Sequence, residues 1–229
     1  ERTVGGIAIF ASMRIEPGIS LITTSPEVIK NNAIEIGEIN GQLTARIYTV
    51  QKILSAIGSI SVTDSLVNTR WAKLLVNATF GGMTAALGCA CKDILQNDDA
   101  LEIVAHIGDE TIKTAHASGF RLGLYRGQDL EFLELKQNDR IEDKIAFYRQ
   151  FFGPYANVKL SIYQDLTKGN KTEINYINGY VCKMGKQNGV PTPYNDFVVR
   201  LINKAEEEGY VPDFESNLEL FRHRFKCFS

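Results

Sequence analysis

The sequence lacks most of the patterns that announce a chemistry. Its four cysteines, Cys89, Cys91, Cys182 and Cys227, are scattered through 229 residues. That is too few and too dispersed for a disulfide framework, so they read as free thiols of a reducing compartment. Cys89-Ala90-Cys91 has no second Cys/His pair near it, and His106, His116 and His223 stand apart from one another, so no metal site is expected. His106 falls in the middle of a helical stretch and reads as a packed or surface residue. Neither sign of charge dominates: 25 Lys and Arg face 27 Asp and Glu, a net charge of −2. A chain so balanced has no electrostatic reason to seek nucleic acid or an anionic bilayer. There is no G-x-G-x-x-G or G-x-x-x-x-G-K-[ST] loop to cradle phosphates, and no G-x-S-x-G elbow for covalent catalysis.

Long apolar runs are scarce too. Leu74–Cys91 is uncharged over 18 residues, but it holds Asn77, Thr79, Thr84 and the glycines 81, 82 and 88. That mixture fits a buried, kinked helix of a soluble protein better than a membrane span. Val4–Met13 is apolar, yet Arg2 sits beside Glu1 and no small-residue cleavage site follows, so export is not expected. The first residue is Glu1 rather than Met, as in a processed or excised piece. What remains is a cytoplasmic chain, 44% hydrophobic, with enough apolar surface for a sizeable core.

Periodicity divides the chain into a strand-rich head (1–63) and a helical body (64–229), an α+β arrangement. Val4–Met13 and Ile19–Thr24 read as strands about the turn Glu16-Pro17-Gly18. Ala33–Gly37 alternates as a half-buried strand does, Leu43 to Ile57 keeps helical spacing, and Ser59–Val62 gives one more strand. Helices are predicted over 65–88, from Asp98 and Asp99 to about 118, from Asp139 (capping-box spacing with Glu142) to Gly153-Pro154, and over 160–169. Two more follow, one with Ile174, Ile177, Val181 and Met184 on one face, the next from Thr192-Pro193 to Gly209. Residues 120–137 carry no clear periodicity.

Two polar constellations interrupt the helical body. In Trp71-Ala72-Lys73-Leu74-Leu75-Val76-Asn77, Lys73 and Asn77 are four apart and share a helix face. Lys73 either marks the wet edge of its helix and snorkels outward, or lies in apolar surroundings that lower its proton affinity, as a general acid near neutrality requires. In Lys171-Thr172-Glu173-Ile174-Asn175-Tyr176-Ile177-Asn178-Gly179, Glu173 either completes a cap with Asn170 or serves a site. Asn175, Asn178 and Gly179 are unusual in so apolar a stretch, and Gly179 would admit a close approach to the backbone.

These blocks resemble those of the ketopantoate reductase family. Trp71-x-Lys73-x-x-x-Asn77, Met83-Thr84-Ala85-Ala86-Leu87, Ser161-Ile162-Tyr163-Gln164-Asp165, Thr172 to Gly179, and Gly189-Val190-Pro191-Thr192-Pro193 occur in the family's order with compatible gaps. Val4-Gly5-Gly6 and Ile34-Glu35-Ile36-Gly37-Glu38 look like the end of its nucleotide-binding domain. The resemblance implies a mostly helical C-terminal domain, similar to that of 6-phosphogluconate dehydrogenase, over 64–229, preceded by strands left from a truncated Rossmann domain over 1–63. It implies NADPH-dependent reduction of 2-dehydropantoate to pantoate, in the pathway to pantothenate and coenzyme A. Lys73 would then be the general acid, Glu173 the acidic partner that orients substrate hydroxyls and contacts the cofactor, and Asn77 and Ser161 the holders of substrate polar groups. The family often has a second asparagine where this chain has Gly81, which leaves another branched 2-keto acid open as substrate. A non-catalytic helical dimerisation module is the alternative from another class, and a second copy of the chain is a candidate partner. Without the glycine fingerprint, the chain alone is expected to bind NADPH poorly.

Overall fold

The computed structural model describes residues 3–225. The chain divides into two units, Glu1–Arg70 with Leu122–Asp129, and Trp71–Arg121 with Leu130–Ser229. In the first, the apolar run at 4–13 splits into β1 (Gly5–Ala8) and β2 (Ser12–Glu16), and β3 (Ile19–Ile22) follows β2 across a turn where Gly18 takes φ +85°. β2 and β3 form a two-stranded antiparallel sheet of their own. A helix the periodicity does not signal, α1 (Pro26–Asn32), opens on a proline, whose missing N–H is no loss in a first turn. β4 (Ile34–Gly37), α2 (Ala45–Leu54) and β5 (Ile60–Val62) fall where alternation and helical spacing put them. β1 pairs antiparallel with β4, and β5 lies parallel to β4 across the α2 crossover. Ile36, Ile47 and Ile60 are the buried centre of this sheet–helix layer, with Val4, Ile34, Val50, Leu54 and Val62 packed around them.

One buried carboxylate ties this layer to the start of α2. Glu38, 4% exposed, accepts from the Thr44 hydroxyl at 2.6 Å, from Arg46 Nε at 2.7 Å and from Arg46 Nη2 at 2.5 Å. The Arg46 guanidinium, then the Thr44 hydroxyl, hold the Glu38 carboxyl down to about 2.

Among the described residues, every regular element of the second unit is helical. α3 (Leu66–Val76), most of whose length lies here, runs into a π-helical turn, Asn77–Gly81, and continues as α4 (Gly82–Leu87) to Gly88, which ends it at φ +64°. The predicted kinked helix over 65–88 is therefore present, and the π turn is its interruption. α5 (Cys91–Leu95) leads to α6 (Asp98–Ala117), the central and most buried helix. Its cap is Asn97, which accepts from the Ala100 N–H at 2.9 Å, rather than Asp98 or Asp99. A 3-10 turn, Leu130–Leu133, occupies part of the stretch without periodicity. α7 (Ile141–Phe152) starts without the Asp139–Glu142 capping box: Asp139 turns instead to the buried Lys144 ammonium, 2.7 Å away, which also donates to the Phe132 carbonyl. α8 (Ser161–Thr167), α9 (Asn178–Asn188), α10 (Pro193–Glu208) and α11 (Phe214–Phe225) complete the unit. The fold is α+β, with helices carrying most of the chain.

Among the described residues no helix is long and apolar enough to cross a membrane. Cys89, Cys91 and Cys182 are free thiols, and burial pushes Cys91 up to about 11 and Cys182 up to about 12. Cys227 lies outside the described residues.

The Glu38–Arg46 pair makes a prediction of definite sign. With its proton affinity lowered in the fold from 4.5 to about 2, Glu38 adds stability above about pH 4.5 that is lost as pH falls toward 2, because the unfolded chain takes up the proton first. Glu38→Gln should lower the denaturation midpoint at neutral pH and flatten its decline between those pH values, followed by circular dichroism. An unchanged acid limb would show that the pair does not hold this layer.

Candidate functional site

Lys73 lies in the last turn of α3, half-buried, and Asn77, also half-buried, is the first residue of the π turn. The Gly82 N–H donates to the Asn77 carbonyl five residues back, the bond that makes this turn wider than an α-helical one. Thr79, fully buried, donates its hydroxyl to the Leu75 carbonyl at 2.8 Å, tying the turn to the helix before it. From outside, the Asn178 amide donates to the Ala78 carbonyl at 3.0 Å.

That bond belongs to a buried series. Asn178, fully buried at the start of α9, also donates to Asn195 Oδ1 at 2.9 Å. The Asn195 amide in turn donates to Glu110 Oε2 at 2.7 Å. Glu110, in the middle of α6, receives two further donors from the first turn of α10, Tyr194 N at 2.8 Å and Asn195 N at 2.9 Å. Among the described residues no cation balances this carboxylate, and burial pushes it up to about 7 even against three N–H donors. Asn178 Oδ1 has no partner among the described residues, and a Cβ added at Gly82 would stand 2.6 Å from it.

The other predicted site segments pack around the same helix. A Cβ at Gly81 would lie 3.5 Å from Ile162 Cδ1 in α8, an ordinary contact, and Ser161 is exposed as the first residue of α8. Trp71, two residues before Lys73, meets the Tyr180 ring of α9 at 5.9 Å and 45°. Glu173 is exposed, ahead of a single 3-10 turn, Ile174–Tyr176. The predicted helix start there is absent: Asn170 does not cap, and the buried Thr172 accepts from Ile174 N while its own N–H goes to Glu206. The carboxylate of Glu173 makes no hydrogen bond or ion pair with any described residue, Lys73 included. The structure thus gathers the segments carrying Lys73, Asn77 and Ser161 about the π turn, and leaves the Glu173 carboxylate unengaged.

His106 stacks on the Tyr194 ring at 4.5 Å, and burial lowers its proton affinity, as befits a packed histidine. Gly179 does not mark the close approach: a Cβ there would meet nothing nearer than 3.5 Å, whereas Gly82 and Gly185 are tightly confined. Sequence reasoning missed Glu110, Asn195 and Gly82. Glu110 lies between Asp109 and Thr111, and Asn195 beside Asp196, so neither stands out from its neighbours in the sequence.

Among the described residues, the helix start best placed for a phosphate-bearing cofactor offers it no cradle. In the first unit, the start of α2 after the parallel strand β4 is the natural place for an anion, but the buried Glu38 carboxylate lies beside it, bound to the side chains of Thr44 and Arg46. A phosphate there would meet a buried negative charge. Among the described residues no group of His, Cys, Asp and Glu could hold a metal ion.

The family model for the C-terminal part of ketopantoate reductase (PanE/ApbA) matches residues 65–206. The chain is similar to the 2-dehydropantoate 2-reductase of Aquifex aeolicus, 27% identical over 201 residues, covering 87% of this chain and 58% of that protein. It is 24% identical over 172 residues to the Archaeoglobus fulgidus 2-dehydropantoate 2-reductase, covering 75% of this chain and 52% of its relative. The crystal structure of a PanE/ApbA family ketopantoate reductase from Ralstonia eutropha superposes with a TM-score of 0.71 at 18% identity, over 90% of this chain and 60% of that one, a likeness of fold. The chain therefore spans little more than half the length of these proteins. The matched stretch covers the π turn, α6, α8, α9 and nearly all of α10, and by it the chain belongs to the ketopantoate reductase family.

Proposed function

We propose that this chain supplies the substrate side of a 2-keto acid reductase, with 2-dehydropantoate as the keto acid and NADPH as the reductant. The observation that carries this reading is the convergence of the Lys73, Asn77 and Ser161 segments on one π-helical turn, a feature often found at functional sites. The reductase names of its relatives agree with it.

Bound NADPH would supply the hydride, and its phosphates would need residues beyond the described ones. The part of the reaction that falls to this chain is charge and proton. Reduction of a ketone builds negative charge on its oxygen, and the Lys73 ammonium stabilises that charge and delivers the proton to the oxygen. Asn77, one helical turn on, donates to the same end of the substrate and limits how it can rotate. Ser161 holds a second polar group from α8. Glu173, exposed and unengaged, has both carboxylate oxygens available for the hydroxyls of a substrate and for the cofactor's ribose end. Positioning by several short side chains in this way lowers the barrier by fixing the reacting geometry.

A second reading rests on Gly81. Where relatives often place a further amide, this chain has only a hydrogen, with room for a Cβ against Ile162. That would leave one hydrogen bond fewer to the substrate and favours another branched 2-keto acid.

Two outcomes test the proposal. In a protein carrying a complete nucleotide-binding half, Lys73→Ala should lower 2-dehydropantoate-dependent NADPH oxidation by about 100-fold or more, the span of a lost general acid; an unchanged rate would remove Lys73 from the mechanism. The 229-residue chain alone should bind NADPH too weakly to give a calorimetric isotherm at micromolar concentration, and a micromolar dissociation constant would contradict the reading of Glu38 at the start of α2.

A further inference from the structure

We propose that Asn178, fixed through Asn195 to Glu110, is a positioning residue that holds the π turn Asn77–Gly81 and so sets the direction in which Lys73 and Asn77 face the substrate. This rests on the reading of Lys73 and Asn77 as the substrate-facing pair.

A π turn holds one residue more than the α-helical turn it replaces. If it relaxed to α-helical register, everything before it would rotate relative to α4 by roughly 100°, the angle of one residue on a helix of 3.6 residues per turn. α4 cannot follow, because its first residue, Gly82, is confined between the Asn178 amide and Val198, where a Cβ would stand 2.6 Å and 3.1 Å away. The rotation would therefore fall on α3, swinging Lys73 off the face it now occupies. Something must hold the wider turn against that relaxation, and the only side chain outside the helix that donates to a carbonyl of the turn is Asn178, on Ala78, among the hydrogen bonds of the described residues.

The Asn178 amide is itself prevented from turning. Both of its N–H groups are committed, one to Ala78 and one to Asn195 Oδ1. Flipping it would set its oxygen against the Asn195 oxygen. Asn195 cannot flip in compensation, because its own N–H groups serve Glu110 Oε2 and the Ile107 carbonyl, and Glu110 is anchored by the backbone of α10. The direction of every donor thus follows from Glu110, whose two oxygens are each engaged by a backbone N–H of α10. Asn178 Oδ1 has no partner among the described residues and faces Gly82. The amide is used for what its nitrogen reaches.

The test compares Asn178→Ala with Asn217→Ala. Asn217 is also buried and donates to a carbonyl of α4, Ala86, at 2.7 Å, but at the end away from the π turn. In the 229-residue chain, Asn178→Ala should speed amide hydrogen exchange of residues 78–82 by about tenfold or more, as expected when a local restraint is lost, and Asn217→Ala should not. In the full reductase, Asn178→Ala should lower kcat by about tenfold or more while KM changes less, the sign of a misdirected reacting group, and Asn217→Ala should keep kcat. If Asn178→Ala does not fold, Asn178→Leu, which removes the donor to Ala78 at nearly constant volume, should show the same pattern. Unchanged exchange at 78–82 together with unchanged kcat in an active enzyme overturns the proposal and leaves the reductase reading intact. Faster exchange in a protein that reduces no 2-keto acid overturns the reductase reading and leaves Asn178 as the holder of the turn.

Discussion

A carbonyl oxygen at residue 78 and a buried amide at residue 178 are the contact on which the second unit turns. An α-helix satisfies its own carbonyls and needs no help. A helix that carries a wider turn holds a less favourable backbone geometry and depends on what surrounds it. Here the surroundings are Asn178, Asn195 and Glu110, contributed by α9, α10 and α6, so three helices are keyed to one turn. Removing any member strands a buried donor or acceptor, and that asymmetry makes such a network specify one arrangement.

The two units use a carboxylate at a helix start in opposite electrostatic settings. Glu38 meets α2 together with an arginine, and the cation holds its charge firmly, down to about 2. Glu110 meets α10 with backbone and amide donors only, and without a cation burial wins, raising it to about 7. The first is a permanent anion that closes its helix start to phosphate. The second sits near neutrality, where the strength of its hydrogen bonds to Asn195 depends on its protonation. Glu38 binds the side chains of Thr44 and Arg46 at the start of α2, Glu110 binds the first-turn N–H groups of α10, and the character of each carboxylate follows from whether an arginine is near.

Much of the architecture was legible. β4, α2 and β5 followed from alternation and helical spacing, α10 from Thr192-Pro193 and Gly209, and the kinked helix from polar and glycine residues inside an uncharged run. The misses lie at helix starts. The cap of α6 is Asn97, one residue before Asp98, Asp139 turns to the Lys144 ammonium instead of capping α7, and no helix starts beside Asn170, where Thr172 gives its own N–H to Glu206. Periodicity cannot see those partners. For the site, the Lys73–Asn77 pair and the asparagine of the 172–179 block stood out as polar residues in apolar stretches. Glu110 and Asn195 did not, because their meaning lies in a contact 85 residues apart along the chain, and Gly82 was hidden behind the more conspicuous Gly179.

Asn178 and Glu110 are linked through Asn195, although they do not touch. A double-mutant cycle on denaturant stability, with Asn178→Ala, Glu110→Gln and the pair, measures this directly. The double variant should lose clearly less than the two single losses added together, because breaking either end already frees the other. Additive losses would mean that the two residues stabilise the fold independently, and the π turn would then have to be held by something other than this buried series.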